Sequence, residues 1–276
     1  MAKRNREITM SKIEKRISGG RGIGEGKDYD PWLYIQDVPS SGVATRSNGW
    51  KTGRIHHLMS KLEHSFFYIF EWSDRITDIR EQFPLLPVEE TVEIAESLGI
   101  KHPVDDKTKD PIVLTTDFLI NIKNDMYART IKPCSKIDFR VAEKYEIERR
   151  YWKKRNVDWG ILTDTDIPEA LVSNIDWFYS EHENIDAETL SVFSLNGIEK
   201  LILRYLEEGE SLAKACAKCD EKSGLEMGTS LALVKHFLAT KKWIVDMGKK
   251  INPSQSIQIL EVKTPIEDFL KEGGRT

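Results

Sequence analysis

The stretch PIVLTTDFLINIKNDMYARTIKP, residues 111–133, decides how this chain is built. Its first part, 111–120, is apolar and rich in β-branched residues. YARTIK, 127–132, alternates in character and is stopped by Pro133. Lys123-Asn124-Asp125 between them is turn chemistry, so the two runs are expected to pair as an antiparallel hairpin. A turn centred on Asn124 and Asp125 makes paired residue numbers add to 249, which sets Asp117 across from Lys132. Side chains alternate along a strand, so Thr130 and Lys132 share one face. The hairpin therefore gathers a carboxylate, a hydroxyl and an amine, and the rest of the chain is read outward from it.

Upstream, RITDIREQF (75–83) alternates and ends at Pro84, a third strand. Residues 55–70 have a helical pattern. At about 100° per residue, Ile55, Leu58, Met59, Leu62, Phe66, Phe67, Ile69 and Phe70 fill one half of the wheel, and Glu63 falls among them. A carboxylate aimed at a core needs a partner or a metal. Downstream, 137–155 is a long charged helix, 157–163 a short strand, and 166–179 a helix with Pro168 in its first turn. This order gives an α/β (α+β) fold with a mixed sheet. Nearer the start, Ser11 and Glu14 mark a short capped helix, and GGRGIGEG (19–26) reads as a flexible basic hinge, since its spacing is not that of a phosphate loop. Pro39-Ser40-Ser41-Gly42 and Ser47-Asn48-Gly49 mark loops.

After Glu181 the character changes. Helices run from Ala187 to about Ala239, and β-like stretches at 243–246 and 256–262 follow, the layout of a winged helix. The expected organisation is a basic N-terminal arm with loops (1–50), a catalytic domain (51–180) and a winged-helix-like domain (181–276). The helix at 230–239 carries only Lys235 and His236 as basic residues, so this last domain reads as a protein-interaction module. Any DNA contact there falls to Lys241-Lys242 or Lys249-Lys250.

The whole chain, 276 residues with a formal charge of −4, does not look like a DNA-binding protein. Divided along its length it does. Residues 1–60 hold eleven Lys/Arg against six Asp/Glu, a +5 arm suited to a phosphate backbone; residues 61–180 carry −6 and residues 181–276 carry −3. No apolar run is long enough to span a membrane, and the first residues lack the apolar core of a secretory leader. Three cysteines make no disulfide framework, and a cytoplasmic protein is expected. Cys216-x-x-Cys219 has no second pair near it and reads as packing, as His56 does.

A strand Asp followed by a polar residue and a Lys two apart on the next strand is the layout of the PD-(D/E)xK nucleases, and Glu63 can complete the cluster. Carboxylates hold a hard divalent ion, Mg²⁺ with Mn²⁺ as a substitute, which polarises a phosphate; the amine orients water or neutralises developing charge.

The sequence resembles the TnsA family, the endonuclease subunits of heteromeric cut-and-paste transposases. The resemblance is carried by Gly26-Lys27-Asp28-Tyr29 with Pro31-Trp32, by Val38-Pro39-Ser40-Ser41-Gly42, by Lys51-Thr52-Gly53-Arg54 and by His56-His57-Leu58. It continues through Ile79-Arg80-Glu81-Gln82-Phe83-Pro84-Leu85-Leu86-Pro87, Thr116-Asp117-Phe118-Leu119, Lys132-Pro133, Glu148-Arg149-Arg150-Tyr151-Trp152 and Thr163-Asp164. The resemblance implies that Glu63 is the catalytic Glu, Asp117 the metal-binding Asp and Lys132 the Lys. The family has Gln two residues before that Lys, where this chain has Thr130, a weak ligand; the backbone carbonyl of Ile131 can coordinate instead. Glu148 is a further candidate next to the metal. The implied activity is hydrolysis of the 5′ strands at transposon ends in double-stranded DNA, together with an integrase-like TnsB partner. A TnsC-like ATPase would contact the C-terminal region. Two alternatives remain at this point: a stand-alone PD-(D/E)xK restriction or repair nuclease, and a non-catalytic DNA- or protein-binding module on the same fold.

Overall fold

A computed structural model describes residues 7–38, 43–182 and 192–263, with the side chains of 192–194 excepted. The loop at Pro39–Gly42, the first six residues of the basic arm and the expected helix start at Ala187 lie outside the described residues. The chain divides into two compact units, Met1–Ile167 and Pro168–Thr276. The sequence reading set this division after residue 180. The helix it assigned to the first domain instead falls in the second unit, where it packs on a helix at 229–239.

The first unit opens with α1 (Met10–Ser18). Its cap is Thr9, whose hydroxyl accepts the Lys12 N–H, so the expected Ser11–Glu14 cap lies two residues too late. The glycine-rich stretch that follows is not a free hinge. Gly22 N–H donates to the Asp30 carbonyl at 2.6 Å, and a Cβ at Gly22 would stand 2.3 Å from the Pro84 ring, so only glycine lets this turn lie against the sheet.

Next come β1 (Thr45–Asn48) and β2 (Ile55–Leu58), an antiparallel pair, then α2 (Lys61–Trp72). The helix expected over 55–70 is thus shorter. His56 and Leu58 are buried while Ile55 is exposed, a strand alternation, and the helix begins only after its cap Ser60. β3 (Ile76–Pro84), α3 (Val88–Ser97), β4 (Thr115–Ile122), β5 (Asp125–Ile131), α4 (Phe139–Lys154) and β6 (Asp158–Leu162) complete the unit.

The sheet runs β3-β4-β5-β6, antiparallel except for the parallel β5/β6 pair, so the mixed α/β sandwich is the observed architecture. α3 and α4 cover one face through Leu85, Ile94, Leu119, Ala128, Ile147, Tyr151 and Trp152. Phe70 of α2 meets Phe118 edge-on at 5.3 Å on the opposite face.

A buried ion cluster ties β2 to β3. Arg54 donates two hydrogen bonds to Glu81, at 2.8 and 2.6 Å, and one to the Ile79 carbonyl. His56 donates from Nδ1 to Glu81 at 2.8 Å while its Nε2 accepts from Thr52, the pattern of a neutral ring. Burial lowers the His56 pKa below 6.5 against the pull of Glu81, consistent with that neutral form. Burial alone would raise Glu81, which is 0% exposed, but His56 and Arg54 hold its carboxyl well below the ordinary range.

The second unit contains α5 (Glu169–Phe178), α6 (Val192–Glu207), α7 (Leu212–Ser223), α8 (Thr229–Ala239) and a two-stranded antiparallel ladder of β7 (Trp243–Val245) and β8 (Ile259–Val262). Buried Asp220 caps α8, accepting the N–H groups of Gly228 and Ser230. Cys216 and Cys219 are buried in α7 as free thiols. Among the described residues, no helix is long and apolar enough to cross a membrane.

Candidate active site

The site lies where β4 and β5 come apart, beside the still-paired β3. The β4/β5 hairpin turns at Lys123-Asn124, and its pairs add to 247, from Ile122 with Asp125 to Phe118 with Arg129. The expected sum of 249, and with it the placement of Asp117 directly across from Lys132, is therefore corrected. Lys123 takes a left-handed backbone (φ +57°), which closes the turn one residue earlier than the composition of 123–125 implied. Beyond the last pair the strands diverge. The Asp117 carboxylate occupies the fork and accepts the Ile131 N–H at 2.6 Å.

A second irregularity faces it. In the β3/β4 register, Gln82 and Asp117 are bracketed by the pairs Glu81–Phe118 and Phe83–Thr116. Gln82 has φ +49°, a conformation that costs a non-glycine residue roughly 1–2 kcal/mol. Its effect shows in the neighbours. Glu81 points to Arg54 and His56, yet Phe83, two residues on, packs against Trp152 of α4 at 5.6 Å. Phe118 meets α2, and Thr116 meets α4. The strand pair exchanges its faces at Gln82 and Asp117.

Glu63 reaches the same place from α2. It is the third residue of the helix, and a reciprocal cap fixes it: Ser60 Oγ accepts the Glu63 N–H at 3.1 Å and donates to Glu63 Oε1 at 2.9 Å. Met59 N–H donates to Oε2 at 2.8 Å, and Gln82 Nε2 donates to the same oxygen at 3.3 Å. Glu63 is 6% exposed. Burial, then the nearby Asp117, raise its pKa above the ordinary value. Burial likewise raises Asp117, opposed by the Ile131 N–H, by the Lys132 ammonium and by the nearby Gln82 amide. The half-buried Lys132 is held by its main-chain N–H, which donates to Leu162 of β6.

Thr130 is turned elsewhere. Its hydroxyl donates to Glu148 of α4 at 2.5 Å, and Thr116 donates to the same Oε1 at 2.6 Å. Trp152 Nε1 in turn donates to Thr116. Glu148 is 4% exposed, and burial pushes it up to about 7. It is no exposed helix glutamate; it forms the wall behind Asp117. Half-buried Tyr145, also on α4, feels both charges, and burial first, then Asp117 and Glu148, raise its pKa. Sequence reasoning gives no role to Ser60, Tyr145 or Gln82, and the signal at Gln82 is slight: a polar residue one place before the aromatic that ends an alternating run.

Residues 73–164 match the family model described as TnsA-like endonuclease N terminal, and residues 166–247 match that of the TnsA endonuclease C terminal. The Transposon Tn7 transposition protein TnsA of Escherichia coli is 42% identical over 245 residues, which cover 87% of each chain. The chain belongs to the TnsA endonuclease family. The first unit is thereby a restriction-endonuclease-like domain, and the chain is a DNA endonuclease of transposition. Asp117, Thr130 and Lys132 fall inside the N-terminal match, and Glu63 precedes it.

Nucleases of this TnsA kind depend on a divalent metal, and the donors fit a hard one. Among the described residues no three His, Cys, Asp or Glu side chains form a metal cage. Two carboxylates, one of which raises the proton affinity of the other, with Ile131 main chain beside them, are instead a sparse oxygen set of the kind a hard divalent ion accepts when it keeps waters as further ligands.

Proposed function

We propose that this chain is the nuclease subunit of a cut-and-paste transposase that hydrolyses the 5′ strands at transposon ends in double-stranded DNA, beside an integrase-like TnsB partner. The observation that carries the reading is the convergence of Glu63 and Asp117 at the strand fork, with Lys132 acting on Asp117. Glu63, Asp117 and the Ile131 carbonyl are the residues to hold Mg²⁺, or Mn²⁺ in its place, with Thr130 at most a weak ligand because its hydroxyl is committed to Glu148. When bound, the ion withdraws charge from the scissile phosphate. The chain's own groups do the rest. Asp117, anchored on Ile131 N–H, keeps one donor oxygen fixed. The Lys132 ammonium offsets charge that builds on the phosphate and orients the attacking water. Glu148 receives Thr130 and Thr116 on one oxygen and so ties the β5 and β4 strand ends to α4.

The exposed basic residues before position 60, which exclude the buried Arg54 side chain, serve to hold the DNA backbone, and the second unit serves a TnsC-like ATPase. A separate compact second unit of helices with a two-stranded ladder supports the second role. The enzyme works where the DNA is, in the cytoplasm. The test is nicking of a transposon-end duplex by the full chain with Mg²⁺, with and without the TnsB-like subunit. Cleavage at the 5′ strands that requires the partner and is lost in Asp117→Ala supports the reading. Intact 5′ cleavage in Asp117→Ala refutes the site, and efficient cleavage without the partner selects the stand-alone nuclease.

A further inference from the structure

We propose that Gln82 is a positioning residue of this site, a neutral donor that holds the two metal-binding carboxylates in register; the inference rests on the nuclease reading above. Three observations meet at this side chain. Gln82 is 3% exposed, stands opposite Asp117 between the β3/β4 pairs Glu81–Phe118 and Phe83–Thr116, and donates from Nε2 to Glu63 Oε2 at 3.3 Å. Its direction is set from behind, because Thr115 Oγ1 donates to Gln82 Oε1 at 3.3 Å, which leaves only the NH₂ end to face the carboxylates. Its backbone is left-handed, at φ +49°, and the Trp32 N–H donates to its carbonyl at 3.3 Å. A strained non-glycine residue persists where the surrounding structure and the chemistry require it.

The charge of the side chain matters as much as its reach. Glu63 sits on α2 and Asp117 on β4, so nothing covalent relates them closely, and two carboxylates left alone repel. A third acid at residue 82 would add to that repulsion, and a lysine would occupy the cation's place. An amide that donates to Glu63 from the position opposite Asp117 brings no charge of its own, so it holds the pair together while leaving the full negative charge available to a divalent ion. Outer partners of metal ligands act in this way.

Residue 82 also offers a clean experiment, because glycine is the residue best suited to its backbone. Gln82→Gly removes the amide without strain, Gln82→Met removes it at similar volume, and Gln82→Asn keeps a shorter amide at a φ that asparagine tolerates. The full chain is titrated with Mn²⁺ by calorimetry, and nicking of the transposon-end duplex is measured with the partner subunit over a range of Mg²⁺. The expected result is a melting temperature for Gln82→Gly at or above that of the wild type, with Mn²⁺ bound on the order of 10-fold to 100-fold more weakly. Its nicking loss is largest at low Mg²⁺ and shrinks at high Mg²⁺. Gln82→Met weakens Mn²⁺ binding alike, and Gln82→Asn falls between these variants and the wild type.

Wild-type Mn²⁺ affinity and metal dependence in both Gln82→Gly and Gln82→Met overturn the proposal. So does a Gln82→Asn no better than Gln82→Met. Asp117→Ala is the control for loss of both Mn²⁺ binding and nicking, and the wild type separates the two readings: if it binds Mn²⁺ but never nicks, the nuclease reading fails while the role of Gln82 in ion binding stands.

Discussion

Arg54→Ala probes the buried cluster that joins β2 to β3, and through it the two elements that deliver Glu63 and Gln82. Glu81 is fully buried, and its carboxylate accepts two Arg54 hydrogen bonds, one from His56 and one from the His57 N–H. His56 is the neutral member, so Arg54 alone brings a full opposite charge. Removing it leaves a buried charge uncompensated, at a cost of about 3–5 kcal/mol. For a unit of this size each kcal/mol moves the melting temperature by roughly 2–4 °C, so the transition of the first unit is expected to fall by roughly 6–20 °C. Replacing both partners, in Arg54→Met with Glu81→Met, removes the charge as well as its partner and is expected to recover most of that loss.

The pH dependence has a definite sign. Glu81 has a folded pKa held below its ordinary 4.5, so its stabilisation is present in full above that value and is lost as the solution becomes more acid. Circular dichroism melts of the wild type, the single variant and the double variant at pH 7 and pH 4 measure all of this. A single variant that melts within about 2 °C of the wild type at pH 7 shows that the cluster carries no such energy, and the account of how β2 is held to β3 fails.

Other perturbations test other parts. Glu71, 3% exposed, accepts the Lys51 N–H, and burial raises it to about 7; wild-type stability is expected to fall by about 3 kcal/mol as pH rises from 4.5 through 7 relative to Glu71→Gln, and parallel pH profiles for the two proteins refute this. Thr130→Val removes one of the two hydroxyls on Glu148 and is expected to cost about 1–3 kcal/mol in denaturant unfolding while nicking falls less than about 10-fold; complete loss of nicking in a folded Thr130→Val protein makes Thr130 an essential ligand instead. Ser60→Ala removes the cap of α2 and is expected to lower stability by about 1 kcal/mol and to raise the Mg²⁺ needed for nicking, since Glu63 loses its hydroxyl donor; an unchanged Mg²⁺ requirement contradicts the role given to that cap. Excess chelator is expected to stop nicking and added Mg²⁺ or Mn²⁺ to restore it, and nicking that survives chelation refutes metal dependence.

The layered fold was legible because its signals are local and periodic: alternation in 75–83 and 127–132, a turn at 123–125, and long amphipathic patterns after 137. What sequence could not resolve was where one period hands over to another. Ile55, Leu58 and Met59 fit a helical wheel with Phe66 and Phe70, and the strand–helix junction was absorbed into it. The signal that marks the junction is Ser60 with Glu63 three residues later, a capping pair of the kind credited to Ser11 and Glu14, where the true cap is Thr9. Register was a matter of one left-handed residue, Lys123, which shifts every pairing and moves Asp117 from a position across from Lys132 to the fork. Gln82 was illegible for the same reason, since its role follows from a backbone dihedral and two long-range partners. The comparison with Tn7 TnsA supplies the family, but the reason Asp117, Glu63 and Gln82 meet is the exchange of faces between Glu81 and Phe83.

The hydrogen bond from the Ile131 main chain to Asp117 has a consequence for how this site tolerates change. The donor that anchors Asp117 belongs to no side chain, so substitutions at 131 that preserve the backbone leave it in place, and drift at Thr130 does not touch it. Only proline, which has no N–H to give, deletes the anchor while keeping Asp117 itself. The site's most exacting contact is therefore written in the peptide chain, and an enzyme of this lineage is free to vary the residues around Asp117 without renegotiating where its carboxylate stands.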